Sequence, residues 1–187
     1  MLRYYVTNRA GGDVIVHAAR AIKQGVDMIQ VREKDLAARD LLSLVVRIRD
    51  LARGTATRVL VNDRLDVAIA AGVDGVHLPA SGLPPALVRP HVRVMGVSTH
   101  SVAEAVAAER AGADFVVFGP VFETPGKRTA GLAALQSVVA AVKIPVLGIG
   151  GITATNMDAM MATGAAGIAA IRLFQELDES PLGESPR

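Results

Sequence analysis

Eight times along this chain a short run of Val, Ile and Leu stops abruptly at a polar or charged residue. Tyr4-Tyr5-Val6 runs into Thr7-Asn8-Arg9, Met28-Ile29-Gln30-Val31 into Arg32-Glu33-Lys34-Asp35, and Val59-Leu60-Val61 into Asn62-Asp63-Arg64. Val73-Asp74-Gly75-Val76 reaches His77, Val94-Met95-Gly96-Val97 reaches Ser98-Thr99-His100, and Phe115-Val116-Val117-Phe118 reaches Gly119-Pro120, with Thr124 and Lys127 soon after. Val146-Leu147-Gly148-Ile149 leads into Gly150-Gly151, and Gly167 to Ile171 into Arg172. Continuous aliphatic runs are the mark of strands buried on both faces, which occur in parallel sheets covered by helices.

The intervening stretches have helical spacing, as in Val14, Ala18, Ala21 and Ile22, or Leu41, Leu44, Val45, Ile48 and Leu51, or Val102, Ala105 and Val106. Right-handed crossovers then make successive strands parallel. Eight such units predict an α/β fold, a single-domain (β/α)8 TIM barrel with short βα loops, since each unit spans only about 23 residues and barrels of this type usually need ~250 in all. Between Leu78 and Arg93, Pro79, Pro84, Pro85 and Pro90 leave room for about two helical turns. The competing architecture is an open, flavodoxin-like sheet of fewer strands.

The expected domain covers 1–177, and 178–187, with two prolines, a glycine and several charges, reads as a flexible tail. Aromatic residues make up 3% of the 187 residues against 51% hydrophobic ones, so branched aliphatics and Ala must fill the core. A net charge of +2 with dispersed basic residues and no aromatic platform excludes a nucleic-acid partner. Without cysteine there is no disulfide, thiolate metal site or cysteine nucleophile. No apolar run is long enough for a membrane span, and Met1 leads straight into the first strand, so a cytoplasmic location is expected. The sequence leaves open whether the chain forms a homo-oligomer.

In a parallel barrel the polar strand ends converge on one mouth. Arg32, Lys34 and Lys127 would face a common space with Asn62 and Asp63, an inventory suited to phosphate and a hard metal ion. Asp63 reads equally well as a helix N-cap. Gly148-Ile149-Gly150-Gly151-Ile152-Thr153 is a phosphate-binding candidate that would open a helix at Thr153, beside Ile171 and Arg172 on the next strand end. His77 and His100 are candidate acid–base or substrate-binding groups, His77 reading also as a hydrogen-bonded wall residue, whereas His17 and His91 fall on outer helices.

The ordered set of these motifs resembles the thiamin phosphate synthase and TenI superfamily over nearly the whole chain. It comprises Tyr5-Val6-Thr7, Gln30 to Asp35, Val61-Asn62-Asp63-Arg64 with Asp66 and Ala68, and Ala71-Gly72-Val73-Asp74-Gly75-Val76-His77-Leu78. It continues with Gly96-Val97-Ser98, His100-Ser101, Ala111 to Phe115, Phe118 to Phe122 with Thr124-Pro125 and Lys127, and Ile149-Gly150-Gly151-Ile152 with Asn156. The resemblance implies coupling of hydroxymethylpyrimidine diphosphate to thiazole phosphate, with release of pyrophosphate and with Mg²⁺ as cofactor. By that resemblance Gln30, Arg32, Lys34, Asn62 and Lys127 hold the diphosphate and Asp63 the metal. Ser98 lies near the pyrimidine, and Thr124, Gly150, Gly151 and Ile171 hold the thiazole phosphate.

Three positions depart from the synthase pattern. Pro79-Ala80-Ser81-Gly82 stands where a Gly-Gln-(Glu/Asp)-Asp stretch usually supplies a second metal carboxylate, Gly126 replaces a hydroxyl residue, and Arg172 replaces a small one. The first departure resembles the TenI branch, linked to thiazole phosphate tautomerisation, although Pro120 stands where that branch is expected to use histidine. A tautomerase, a non-catalytic thiazole or thiamin phosphate-binding protein, and an unrelated sugar-phosphate isomerase are therefore the alternative readings.

Overall fold

The structure, a computed structural model, describes residues 1–176, so the expected tail at 178–187 lies outside the described residues. Strands β1 (Leu2–Val6), β2 (Met28–Val31), β3 (Arg58–Asn62), β4 (Gly75–Leu78), β5 (Val94–Thr99), β6 (Phe115–Phe118), β7 (Val146–Ile149) and β8 (Gly167–Ala170) form a closed parallel barrel. β1 pairs with β8 through Tyr4 opposite Ala169, which rules out the open-sheet alternative. Helices α1 (Val14–Lys23), α2 (Ala38–Ala52), α3 (Leu65–Ala71), α4 (Pro85–Val88), α5 (Val102–Arg110), α6 (Leu132–Ala141), α7 (Met157–Met161) and α8 (Arg172–Glu176) surround it. The proline-rich segment before β5 holds only α4 and one turn of 3₁₀ helix at Arg89–His91.

Strand alternation divides the core in two. Outward residues such as Ile29, Val59, Val61, Val76 and Val116 pack on the buried stripes of the helices, including Val14, Ala18 and Ala21 of α1 and Leu41, Val45 and Ile48 of α2. Inward residues Tyr4, Met28, Leu60, Val94, Phe115, Val117, Leu147 and Ala169 fill the barrel itself. Asp13 caps α1 by accepting from Ile15 N at 2.8 Å, and Ser101 caps α5 by accepting from Glu104 N at 3.2 Å.

A repeated device closes the lower rim. In Gly25-Val26-Asp27, Gly72-Val73-Asp74 and Gly112-Ala113-Asp114 the aspartate precedes an even-numbered strand and accepts a backbone N–H from the strand before it. The pairs are Arg3 N to Asp27 at 2.7 Å, Val59 N to Asp74 at 2.8 Å and Met95 N to Asp114 at 2.7 Å. Each satisfies a donor at the point where the ladder begins. Asp114 also receives Arg89 at 2.6 Å, a half-exposed ion pair that contributes at most about 1 kcal/mol.

Candidate active site

The upper mouth follows from the same alternation carried two residues further. Above inward Met28 comes Gln30, above Leu60 comes Asn62, above Gly75 comes His77, and above Gly96 comes Ser98. Beyond Gln30, Arg32 and Lys34 keep the step. These residues line a cavity of about 540 Å³ together with His100, Thr124, Lys127, Gly150, Gly151, Ile171 and Arg172. Thirteen of the fourteen residues singled out in the sequence thus share one space. Asp63 stands in an adjoining cleft of about 240 Å³ that it shares with Lys34 and Asn62.

Arg32, Lys34, Lys127 and Arg172 all line the main cavity, whose walls hold no Asp or Glu among the described residues. None of the four side chains is ion-paired within the described residues. Like charges held around a common void raise one another's energy, and an anion with several oxygens removes that cost.

Side chains below the mouth hold it in place. Thr7 accepts from Arg32 N at 2.9 Å and donates to buried Glu33 at 2.6 Å, while Glu33 also accepts from Arg9 N at 3.2 Å. Gln30 donates to the Tyr4 hydroxyl at 3.1 Å, satisfying a phenol that is fully buried and whose ionisation burial pushes far up. His77 lies within β4, at 2% exposure, and not at a polar strand end. Its Nε2 is 2.8 Å from Ser98 Oγ, and burial, reinforced by the Arg32 charge, pushes its pKa down to about 3, so the ring is neutral. His100 is exposed, and its Nδ1 lies 2.7 Å from Gly119 O. A carbonyl only accepts, so Nδ1 carries the proton and Nε2 is the free nitrogen when the ring is neutral.

The remaining strand ends form turns. Thr124-Pro125-Gly126-Lys127 is a tight turn closed by Lys127 N to Thr124 O at 3.1 Å, with Gly126 at φ 72. That left-handed backbone accounts for glycine where a hydroxyl residue was expected. Gly150 and Gly151 sit at φ 98 and 63, and a Cβ on Gly151 would fall 2.4 Å from Glu123 O. The expected helix start at Thr153 is corrected: α7 begins at Met157 with Asn156 at its N-cap position. Asn156 is occupied with the turn, donating to Gly151 O at 2.8 Å and accepting from Thr153 N at 2.9 Å.

Asp63 is not a helix cap either, since Arg64 holds the N-cap position of α3. It is the only non-glycine residue among those described with positive φ, at 59. Such a conformation costs on the order of 1–3 kcal/mol and persists where the surroundings impose it. It leaves the Asp63 carboxylate exposed and free of hydrogen bonds and ion pairs in the described residues. A Cβ on Gly82 would lie 2.9 Å from Asp63 Oδ1, so position 82 directly abuts this carboxylate. Among the described residues no group of three or more His, Asp or Glu side chains is placed to hold a metal. One free carboxylate beside an anion site fits Mg²⁺, which takes one or two carboxylates and completes its shell with substrate phosphate oxygens and water.

Asn8, which the strand-end pattern includes without a site role, and Pro79, Ala80 and Ser81, which it does not include, also line the cavity. Asn8 lies two residues beyond the end of β1, after Thr7.

A closed parallel barrel with several cations and a double-glycine turn at its carboxyl mouth is the architecture of enzymes that handle phosphorylated small molecules. Within that class the sequence matches the thiamine monophosphate synthase family (TMP-TENI) over residues 3–174, and the chain belongs to that family. A thiamine-phosphate synthase of Methanoculleus marisnigri is 47% identical over 178 residues, covering 90% of this chain and 84% of that one. A putative thiamine-phosphate synthase of Geobacter sulfurreducens is 43% identical over the same length and shares of the two chains. The solved thiamine phosphate pyrophosphorylase from Pyrococcus furiosus superposes with a TM-score of 0.89 at 34% identity, covering 95% of this chain and 89% of that one. No helix among the described residues is long and apolar enough to cross a membrane.

Proposed function

We propose that this chain is a thiamine-phosphate synthase, a transferase that joins hydroxymethylpyrimidine diphosphate to thiazole phosphate and releases pyrophosphate. The observation that carries the reading is that, among the described residues, four cations without ion-pair partners surround a cavity with no carboxylate in its walls. Cleavage of the bond between the pyrimidine methylene and the diphosphate oxygen builds negative charge on the leaving group. Arg32, Lys34 and Lys127 stabilise that charge more in the transition state than in the ground state, and Gln30 and Asn62 donate from the strand ends. The thiazole nitrogen attacks the methylene with its own lone pair, so no general base is required. The double-glycine turn, Thr124, Ile171 and Arg172 hold the thiazole phosphate across the mouth from the diphosphate. Asp63 is the residue that would hold Mg²⁺, which when bound supplies charge neutralisation at the diphosphate oxygens.

The test is to incubate purified protein with Mg²⁺, the pyrimidine diphosphate and the thiazole phosphate, and to follow pyrophosphate and thiamin phosphate by mass spectrometry. Steady production of both is the expected result. Thiazole phosphate binding without product would overturn the synthase reading. A second reading, thiazole phosphate tautomerisation, is supported by the free Nε2 of His100, and only this chemistry loses most of its rate in His100→Ala.

A further inference from the structure

His77 has hydrogen-bonding surroundings that fix where its proton sits. The neutral ring is packed between Tyr4 and Phe115, with centroids 5.7 and 6.0 Å away. Nε2 meets Ser98 Oγ at 2.8 Å, whereas Nδ1 is buried and has no hydrogen-bond partner. Gly96 closes off the Nδ1 edge, since a carbon added to Gly96 would fall 2.7 Å from Nδ1 and 2.3 Å from Phe115 Cζ, which leaves no room for a water. A neutral imidazole has one N–H and one lone pair. Placed on Nδ1, the proton would be a buried donor with no acceptor, the rarer and costlier kind of orphan, while Ser98 can accept it at Nε2.

We infer that His77 is locked as the Nε2–H tautomer and acts as a positioning residue: it donates to Ser98 Oγ and so turns the Ser98 O–H into the cavity as a donor to an unprotonated ring nitrogen of the substrate. A serine hydroxyl has one hydrogen, and with a lone pair taken by His77 that hydrogen cannot point back along the same line. Ser98 therefore selects an aromatic ring that presents a bare sp² nitrogen, and disfavours one that presents C–H or N–H there. The selection rests on the proposal that the cavity takes a pyrimidine. The tautomer does not, because it is a property of the protein without ligand.

The first test is long-range ¹⁵N–¹H correlation spectroscopy of the unliganded, ¹⁵N-histidine-labelled protein, with His77 assigned by the signals lost in His77→Phe or, should that variant not fold, by those shifted in Ser98→Ala. An Nε2-protonated pattern is expected, and an Nδ1-protonated pattern overturns the assignment. The second is a double-mutant cycle on kcat/KM for the pyrimidine diphosphate. His77→Phe and Ser98→Ala should each cost about tenfold, the value of one directed hydrogen bond, and together no more than Ser98→Ala alone. His77→Gln, whose amide can donate from the same place, should recover most of the loss. Independent, multiplying losses would mean that His77 does not act through Ser98. Absence of turnover in wild type alongside the expected tautomer would sink the pyrimidine reading and leave the lock intact.

Discussion

The two rims of the barrel use charge in opposite ways. At the lower rim, Asp27, Asp74 and Asp114 each accept a backbone N–H from a neighbouring strand, so the charge is consumed by the fold. At the upper rim, Arg32, Lys34, Lys127 and Arg172 face a shared cavity without ion-pair partners among the described residues. The lower carboxylates are satisfied whether or not a ligand is present. The upper cations have no ion-pair partner among the described residues and are open to an anionic ligand. Substitutions at the two rims should therefore separate stability from activity.

The largest effect is expected at the edge of the upper rim. Asp63→Asn keeps a side chain that tolerates the left-handed backbone and removes only the charge, so kcat should fall about 10³-fold while Tm is unchanged. Full Mg²⁺-dependent turnover in that variant would show that Asp63 is not the metal residue. Arg32→Ala should raise KM for the diphosphate and lower kcat, for a combined loss of about 10²-fold, with Tm equal or higher because a repelling charge is gone. A lower Tm would place Arg32 among the structural charges.

At the lower rim, Asp114→Ala strands Met95 N–H and should cost about 2 kcal/mol in urea unfolding, with kcat/KM within twofold of wild type. A comparable loss of rate would erase the division between the rims. His77, beneath the upper rim, makes a smaller, pH-dependent contribution to stability. Burial pushes its folded pKa down to about 3 from the ordinary histidine value of 6.5, so between the two the unfolded chain binds a proton that the folded chain does not. Its contribution is complete above about pH 6.5 and is lost as pH falls toward 3, at up to about 1.4 kcal/mol per pH unit. Urea titrations at pH 7 and 5 should show this slope in wild type and a shallower one in His77→Phe. Smallest is Arg172→Ser, expected to raise KM for the thiazole phosphate about threefold, since an exposed cation contributes well under 1 kcal/mol; direct titration with the thiazole phosphate reads it.

The eight strands and the convergence of their polar ends were legible because each rests on local pattern: aliphatic runs, period-two alternation and helical spacing. Arg32 and Lys34 belong to this class, as alternate residues continuing β2. What the sequence hid depends on contacts across it. Thr7 and Glu33 are separated by 26 residues, Tyr4 and Gln30 likewise, and His77 and Ser98 by 21, so no local signal marks them as partners. The left-handed backbone of Asp63 was invisible because aspartate rarely requires one. The late start of α7 is hidden because Thr153-Ala154-Thr155 has the composition of a helix start, whereas Asn156 is tied back to Gly151 and Thr153.

The seam between β1 and β8 sets an order of events during synthesis. Leu2–Val6 is made before the other seven strands, yet one of its two neighbours, Gly167–Ala170, is the last of the eight to be made. Until that strand leaves the ribosome, the nascent chain carries an unpaired edge rich in apolar side chains, the kind of surface that recruits other chains. Tyr4 and Tyr5, both fully buried after closure, are the side chains most exposed to that hazard. Slow translation of β8 would lengthen the interval in which the half-made barrel exposes that edge.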